Sequence, residues 1–166
     1  MFVAKNAIIY IERRDKYMAL MKYRDKGSIP EGLCRVAQDT VKGSAVIRKF
    51  VSGKEVLALP STAEEAKDFT GFVTLDIEYS EHKGSYYDTI KKGELAVCYT
   101  RVPMNEWKTT EFVGDLNVGD KCVIGYSGAQ AGKVIAAASV TPTLQVIGKI
   151  PAMAGYEKPM VVVRVL

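Results

Sequence analysis

A chain of 166 residues with 48% hydrophobic and 25% charged side chains is long enough to bury a core. This composition excludes disordered and fibrous classes and predicts one globular domain, with an appendage at most. The formal net charge of +4 lies in residues 1 to 26, which hold seven basic and three acidic side chains, and the rest of the chain is balanced. The segment therefore predicts an arm with an acidic partner, which could be nucleic acid, a membrane surface or a protein face.

The same first segment allows two conformations. Apolar residues on one helical stripe predict a helix within residues 6 to 26, ending near Gly27 and Pro30, and these residues are Ile8, Ile11, Met18 and Met21. The run AIIYI could equally be an edge strand. The helix could pack on its own domain, or the segment could be an arm that binds a neighbouring subunit through Arg13, Arg14 and Met18. We divide the chain into a basic arm, residues 1–30, and a β domain, residues 31–166.

Strand patterns dominate from Leu33 onward. LCRVAQDTV, SAVIRKFV and KEVLALP are separated by Gly43 and by Ser52-Gly53, which predicts a meander with two-residue turns. After Pro60, Ser61 or Thr62 with Glu64 or Glu65 forms a capping box, which predicts a short helix near residues 61 to 68. The alternation in GFVTLDIEY then predicts a further strand.

A polar loop is predicted over residues 80 to 92, interrupted by Tyr86 and Tyr87. Adjacent tyrosines in such a loop could anchor a partner, although exposed tyrosines are also common without any partner. GELAVCYTRV follows as a strand, and MNEWKTTEFVGDLNVGDK is predicted to be a long connection. Its Trp107 is expected to fill a core position rather than bind a ligand.

In the last third, short apolar runs alternate with glycine turns up to the final residue. The runs are VGDKCVIGY, GKVIAAAS, TLQVIGKI and KPMVVVRVL. Short strands at this spacing predict a mainly β fold, a small antiparallel β-barrel or sandwich with an N-terminal arm or helix and one short internal helix. The terminus at Leu166 is expected to be tied into the sheet.

Residues suited to catalysis or metal binding form no convincing set. The single histidine, His82, lies in the polar loop, and the acids Asp76, Glu78 and Glu81 lack the spacing of a calcium loop. GYSGAQAGK lacks the Walker spacing. Cys34, Cys98 and Cys122 have no ligand spacing and are expected to be buried thiols in a reducing compartment. We predict no enzyme activity, no metal and no cofactor.

No run is long enough for a membrane span, and the N-terminus lacks a secretory pattern, so a soluble protein made in the cytoplasm is expected.

The order of these elements resembles one known family. VLALPS, then GF, a Tyr-rich loop, IKKGELAV, W-x-T-T-x-F, VGDKCVIGYSG, VIGKI and VVVRVL look like the structural cement, or capsid decoration, proteins of tailed bacteriophages. The resemblance covers about residues 33–166, and residues 1–26 have no counterpart. It implies a non-enzymatic virion protein on the capsid surface that stabilises the lattice by bridging major capsid protein subunits.

The expected partners are therefore the major capsid protein and further copies of the chain, as a dimer or trimer, with nucleic acid and membrane unlikely as partners. The expected contact residues are Arg13, Arg14, Met18, Tyr86 and Tyr87. Two alternatives stay open: a phage tail or baseplate β protein, and a nucleic-acid-binding barrel of the OB type. Against the OB type, aromatic and basic residues are not interleaved on the strand runs.

Overall fold

Strands form most of the regular structure of this protein. The computed structural model describes residues 20–24, 30–74, 89–152 and 158–166, the first of these and residues 30–33 by their backbone. Strand accounts for 47% and helix for 7% of the chain, which confirms the predicted mainly β class. The strands lie in a closed barrel, a larger open sheet and a short two-stranded ladder.

The barrel has five strands. In chain order they are β2 (Pro30–Val36), β4 (Ala45–Val51), β5 (Lys54–Ala58), β6 (Gly71–Thr74) and β8 (Leu95–Thr100). Around the barrel the order is β2, β5, β4, β6, β8. Its apolar interior is formed by Cys34, Val36, Val46, Leu57, Val73, Ala96 and Cys98, and Ile90 packs against them from outside the barrel strands.

The larger sheet has six antiparallel strands. They are β1 (Leu20–Arg24), β9 (Glu106–Thr109), β10 (Lys121–Ile124), β11 (Val134–Ala136), β12 (Leu144–Ile150) and β13 (Met160–Val165), and their order across the sheet is β1, β9, β13, β12, β10, β11. The last strand, β13, lies between β9 and β12. The Leu166 N–H donates to the Thr143 carbonyl, which confirms that the chain end is tied into the sheet.

Local signals predicted the turn and the helix near the barrel correctly. The hairpin of β4 and β5 turns at Ser52 and Gly53, both at positive φ, as its two-residue loop requires. The helix α1 (Ala63–Lys67) begins after Thr62, whose side chain accepts a hydrogen bond from the Glu65 N–H. The capping box therefore forms with Thr62 and Glu65.

The predicted meander is wrong in its pairing. β2 ends at Val36, and the rest of the predicted first strand forms β3 (Thr40–Val41), which pairs with β7 (Thr89–Ile90) outside the barrel. β2 then pairs with β5 in parallel, across the β4–β5 hairpin. Pairing between strands that are distant in the chain is not encoded in the local alternation of residues, which is why the pattern did not predict it.

The N-terminal segment also contributes to the sheet. Residues 20–24, which the predicted helix included, instead form the edge strand β1, which pairs with β9. β9 itself lies within the stretch that was predicted to be a connection. The rest of the predicted arm, residues 1–19 and 25–29, lies outside the described residues.

One core joins the two β structures. It contains barrel and helix residues together with residues of the six-stranded sheet, among them Ile47, Phe69, Phe72, Trp107, Ile124, Leu144 and Val163. Trp107 is only 1% exposed, which confirms its predicted core position. Its ring lies 6.0 Å from that of Phe72 and 5.5 Å from that of Tyr99, both on barrel strands.

Two hydrogen bonds to backbone carbonyls close the junction beside this core. The Thr109 hydroxyl donates to the Gly43 carbonyl at 3.0 Å, and the Ala45 N–H donates to the Gly132 carbonyl at 2.8 Å. A Cβ on Gly132 would lie 2.7 Å from Leu59 Cδ2 and 2.9 Å from the Ala45 oxygen. The sheets can therefore approach this closely only with glycine at position 132.

A pair of glycine substitutions tests this junction. Gly132 and Gly53 have nearly equal φ, +77° and +76°, but a Cβ on Gly53 would meet nothing within 4 Å. Gly53→Ala should lower the free energy of unfolding by about 1 kcal/mol, the cost of a left-handed alanine. Gly132→Ala should cost about 1–3 kcal/mol more because the added carbon overpacks the junction. Urea denaturation measures both, and equal losses would contradict the close approach at Gly132.

Candidate protein interface

The partner-binding residues that the sequence predicted cannot be placed. Arg13, Arg14, Met18, Tyr86 and Tyr87 all lie outside the described residues, as do His82 and the acids Asp76, Glu78 and Glu81. Their roles stay predictions. The candidate interface must therefore be built from the exposed apolar side chains of the described residues.

The β4–β5 hairpin extends beyond the strands that flank it. β4 pairs with β6 only through Ala45 and Val46, and β5 pairs with β2 only through Val56 and Leu57. We call residues 49–55 the hairpin tip, because among the described strands β4 and β5 pair only with each other there. At about 3.3 Å per residue, Phe50 lies about 13 Å beyond Val46 along β4.

The hairpin tip exposes apolar side chains on both of its faces. Phe50 is 75% exposed, the largest value among the large apolar side chains of the described residues, and Val51 is 46% exposed. Consecutive strand residues point to opposite faces, so the two side chains lie on different sides of the ribbon. Phe50 is opposite Glu55, and Val51 is opposite Lys54.

Side-chain contacts hold the base of the hairpin tip. Arg48 Nη1 lies 3.3 and 3.4 Å from the two Glu55 carboxylate oxygens, and Cys34 Sγ lies 3.8 Å from one of them. Because Arg48 follows the barrel-lining Val46 by two residues, this ion pair is on the barrel-facing side of the hairpin. It links the strands of the hairpin just below Phe50.

The other side of the hairpin tip contacts α1. Lys49 Nζ lies 3.7 Å from a Glu65 carboxylate oxygen. The other oxygen of Glu65 accepts hydrogen bonds from the N–H and the hydroxyl of Ser61, and these bonds lower the pKa of Glu65. The carboxylate is therefore ionised at neutral pH. An exposed pair of this kind contributes little stability, but it orients the tip relative to the helix.

A second group of exposed apolar side chains lies on the six-stranded sheet. We call Met104, Val140 and Leu166 the apolar end, and they are 45%, 58% and 46% exposed. Backbone hydrogen bonds bring their segments to one end of the sheet: Met104 N–H donates to the Val165 carbonyl and Leu166 N–H to that of Thr143. Val140 lies in the turn just before Thr143.

The described residues offer little for chemistry. A groove of about 360 Å³ beside the hairpin is open to solvent and is lined by Cys34, Arg35, Lys54, Glu55, Val56 and Leu95. The carboxylate in this groove, Glu55, is bound to Arg48. No three His, Cys, Asp or Glu side chains in the described ranges come close enough to share a metal ion. The described part of the chain also contains no helix with the length and hydropathy of a membrane span.

Comparisons with protein-family models, curated proteins and solved structures found no match to this chain.

Reasoning from the sequence missed Phe50. The apolar residues of a strand were expected to face a core, yet this aromatic residue lies beyond the end of the barrel. The signal that was available is the pair Phe50 and Val51 directly before the Ser52-Gly53 turn. Two consecutive apolar residues beside a two-residue turn cannot both face the core, because their side chains point to opposite faces.

The cysteines are buried thiols, as predicted. Burial, and the charge of Asp120, raise the pKa of Cys122 to about 11. At pH 8 only about one Cys122 in a thousand should be a thiolate, the form that alkylating agents attack. Iodoacetamide should therefore modify Cys122 of the folded protein far more slowly than a free thiol, as mass spectrometry of its peptide would show. The urea-unfolded protein is the control, and equal rates in the two states would contradict the burial of this thiol.

Proposed function

We propose that this chain is a non-enzymatic virion structural protein that binds the outer surface of a phage capsid lattice. In this proposal it bridges neighbouring major capsid protein subunits and so stabilises the shell. The observation that carries the proposal is that one chain has two exposed apolar surfaces on different β structures, the hairpin tip and the apolar end. A bridge needs two docking surfaces, and the order of sequence elements resembles the decoration proteins of tailed bacteriophages.

Single exposed apolar residues are common on protein surfaces and need no explanation. The hairpin tip differs because its aromatic residue is 75% exposed on an element that extends beyond its neighbouring strands. The apolar end differs because three chain segments contribute to it. Grouped exposed apolar side chains are typical of sites that contact another protein.

The shared core suits a bridging role. The barrel carries the hairpin tip, the six-stranded sheet carries the apolar end, and the residues around Trp107 pack the two together. A close-packed core has low compressibility, so a load applied between the two surfaces would pass through the core with little deformation.

Stabilisation would follow from mass action. A ligand that binds only the expanded lattice lowers its free energy by the free energy of binding. Repetition of modest contacts over many symmetry copies then gives large total stabilisation through multivalency. The expected dimer or trimer of this chain would add contacts between neighbouring copies.

The residues outside the described ranges have a place in the same proposal. The basic segment with Arg13, Arg14 and Met18 is proposed to dock on a neighbouring subunit, and Tyr86 and Tyr87 to add an aromatic contact. Because Leu20–Arg24 form β1, a deletion of the arm that keeps this strand ends at residue 19.

Co-sedimentation with DNA-free shells of the phage that encodes the chain tests this function. The protein should bind expanded shells but not unexpanded ones, and it should raise the temperature at which expanded shells dissociate. Val140→Asp, in the apolar end, should weaken binding at least about tenfold because a carboxylate would be desolvated at the interface.

The matched control is Val118→Asp, at a residue that is 65% exposed in the turn before β10 and outside the apolar end. It should bind like the unchanged protein. Failure of the unchanged protein to bind either kind of shell would overturn the proposal, and binding to isolated tails instead would favour the tail or baseplate alternative.

A further inference from the structure

We infer that the hairpin tip is a preformed knob, with Phe50 as its anchor, that inserts into an apolar pocket with an acidic rim on the major capsid subunit. The inference rests on the proposed function, and it names the contact residue and the chemistry of the partner surface. Exposure, rigidity and charge of the hairpin tip each support it.

Phe50 does not contribute to the fold in the way that other aromatic residues of the chain do. Phe69, Phe72 and Trp107 are at most 1% exposed, whereas Phe50 is 75% exposed. Within the described residues, β4 has no pairing with β6 beyond Val46, and no neighbouring strand pairs with the segment that holds Phe50 apart from β5 of the same hairpin. A large aromatic side chain that the core does not use is the typical anchor of a protein interface.

The turn geometry and the side-chain contacts of the hairpin tip favour its conformation before any partner binds. Its turn residues Ser52 and Gly53 have the positive φ values that match the twist of a tight hairpin. The Arg48–Glu55 pair joins its two strands, and the Lys49–Glu65 pair orients it against α1. Insertion of the tip would therefore order few additional groups, and a preorganised element of this kind binds more tightly than a flexible loop.

The charges of the hairpin tip favour a protein pocket over nucleic acid. Arg48 and Lys49 contact the carboxylates of Glu55 and Glu65, so their charges are largely compensated. Lys54 is exposed opposite Val51 and adds a cation beside the apolar side chains. One such cation matches an acidic group at the rim of an apolar pocket, whereas a polyanion is bound by several basic groups together.

A threonine substitution tests the anchor. Phe50→Thr keeps a residue that favours strands and removes the aromatic ring, so the melting temperature should change little. Its affinity for DNA-free expanded shells should fall at least about tenfold. Val118→Thr is the matched control, an exposed apolar residue outside both surfaces, and it should bind within about twofold of the unchanged protein. Equal binding by Phe50→Thr and the unchanged protein would overturn the inference and leave the proposed function standing.

A charge reversal tests the acidic rim. Lys54→Glu should weaken shell binding several-fold, and more so at low ionic strength, where charges are less screened. Lys121→Glu makes the same change in net charge on the exposed Lys121 of β10, away from the hairpin tip. If the two variants weaken shell binding equally, only the net charge of the protein matters, and the acidic rim is no longer part of the inference.

Fluorescence identifies the partner class directly. The natural tryptophan, Trp107, is buried, so a Phe50→Trp variant places a second and exposed indole at the hairpin tip. Expanded shells should shift its emission to shorter wavelength, and a single-stranded oligonucleotide should not. A shift with the oligonucleotide but not with shells would mean that the hairpin tip binds nucleic acid and not a protein pocket. Binding of the variant to shells without any shift would overturn the inference alone, whereas no shell binding by the unchanged protein would overturn the proposed function and the inference together.

Discussion

The contact between the closed barrel and the six-stranded sheet is the constraint on which the rest of the structure depends. Trp107 lies on β9 of the sheet and packs against Phe72 and Tyr99 of the barrel. Loss of a buried aromatic side chain costs about 3–5 kcal/mol, a large part of the roughly 5–15 kcal/mol that stabilises a typical domain.

The position of β13 follows from this contact. Val161, Val163 and Val165 belong to the shared core, and the alternate residue Arg164 pairs on the other face with Glu106 of β9, at 2.7 Å. The last strand of the chain is thus fixed on both faces and on both edges, by β9 and β12. Because Leu166 directly follows β13, the apolar end is attached to a strand that is paired on both edges.

Much of the fold could be predicted where the signal was local. The Thr62–Glu65 capping box, the Ser52-Gly53 turn and the glycine-bounded strands of the last third each depend on residues a few positions apart. The parallel pairing of β2 with β5 and the edge strand β1 depend on distant partners, which no local pattern records. The candidate site was harder to predict, because Phe50 has the residue type of a core position and only its place beyond the barrel makes it exposed.

The hairpin tip also carries a risk that bears on its role. Two strands without outer partners and with exposed apolar side chains are prone to pair with other chains. Lys49 and Lys54 flank these apolar residues, and charged side chains of this kind, lysine above all, oppose such pairing. The ribbon is short as well, with two of its pairs beyond Lys49. The hairpin tip thus has charges that oppose strand pairing, and it keeps a solvent-exposed phenylalanine. These two features favour binding by insertion of the Phe50 side chain into a pocket over binding by addition of a strand to a partner's sheet.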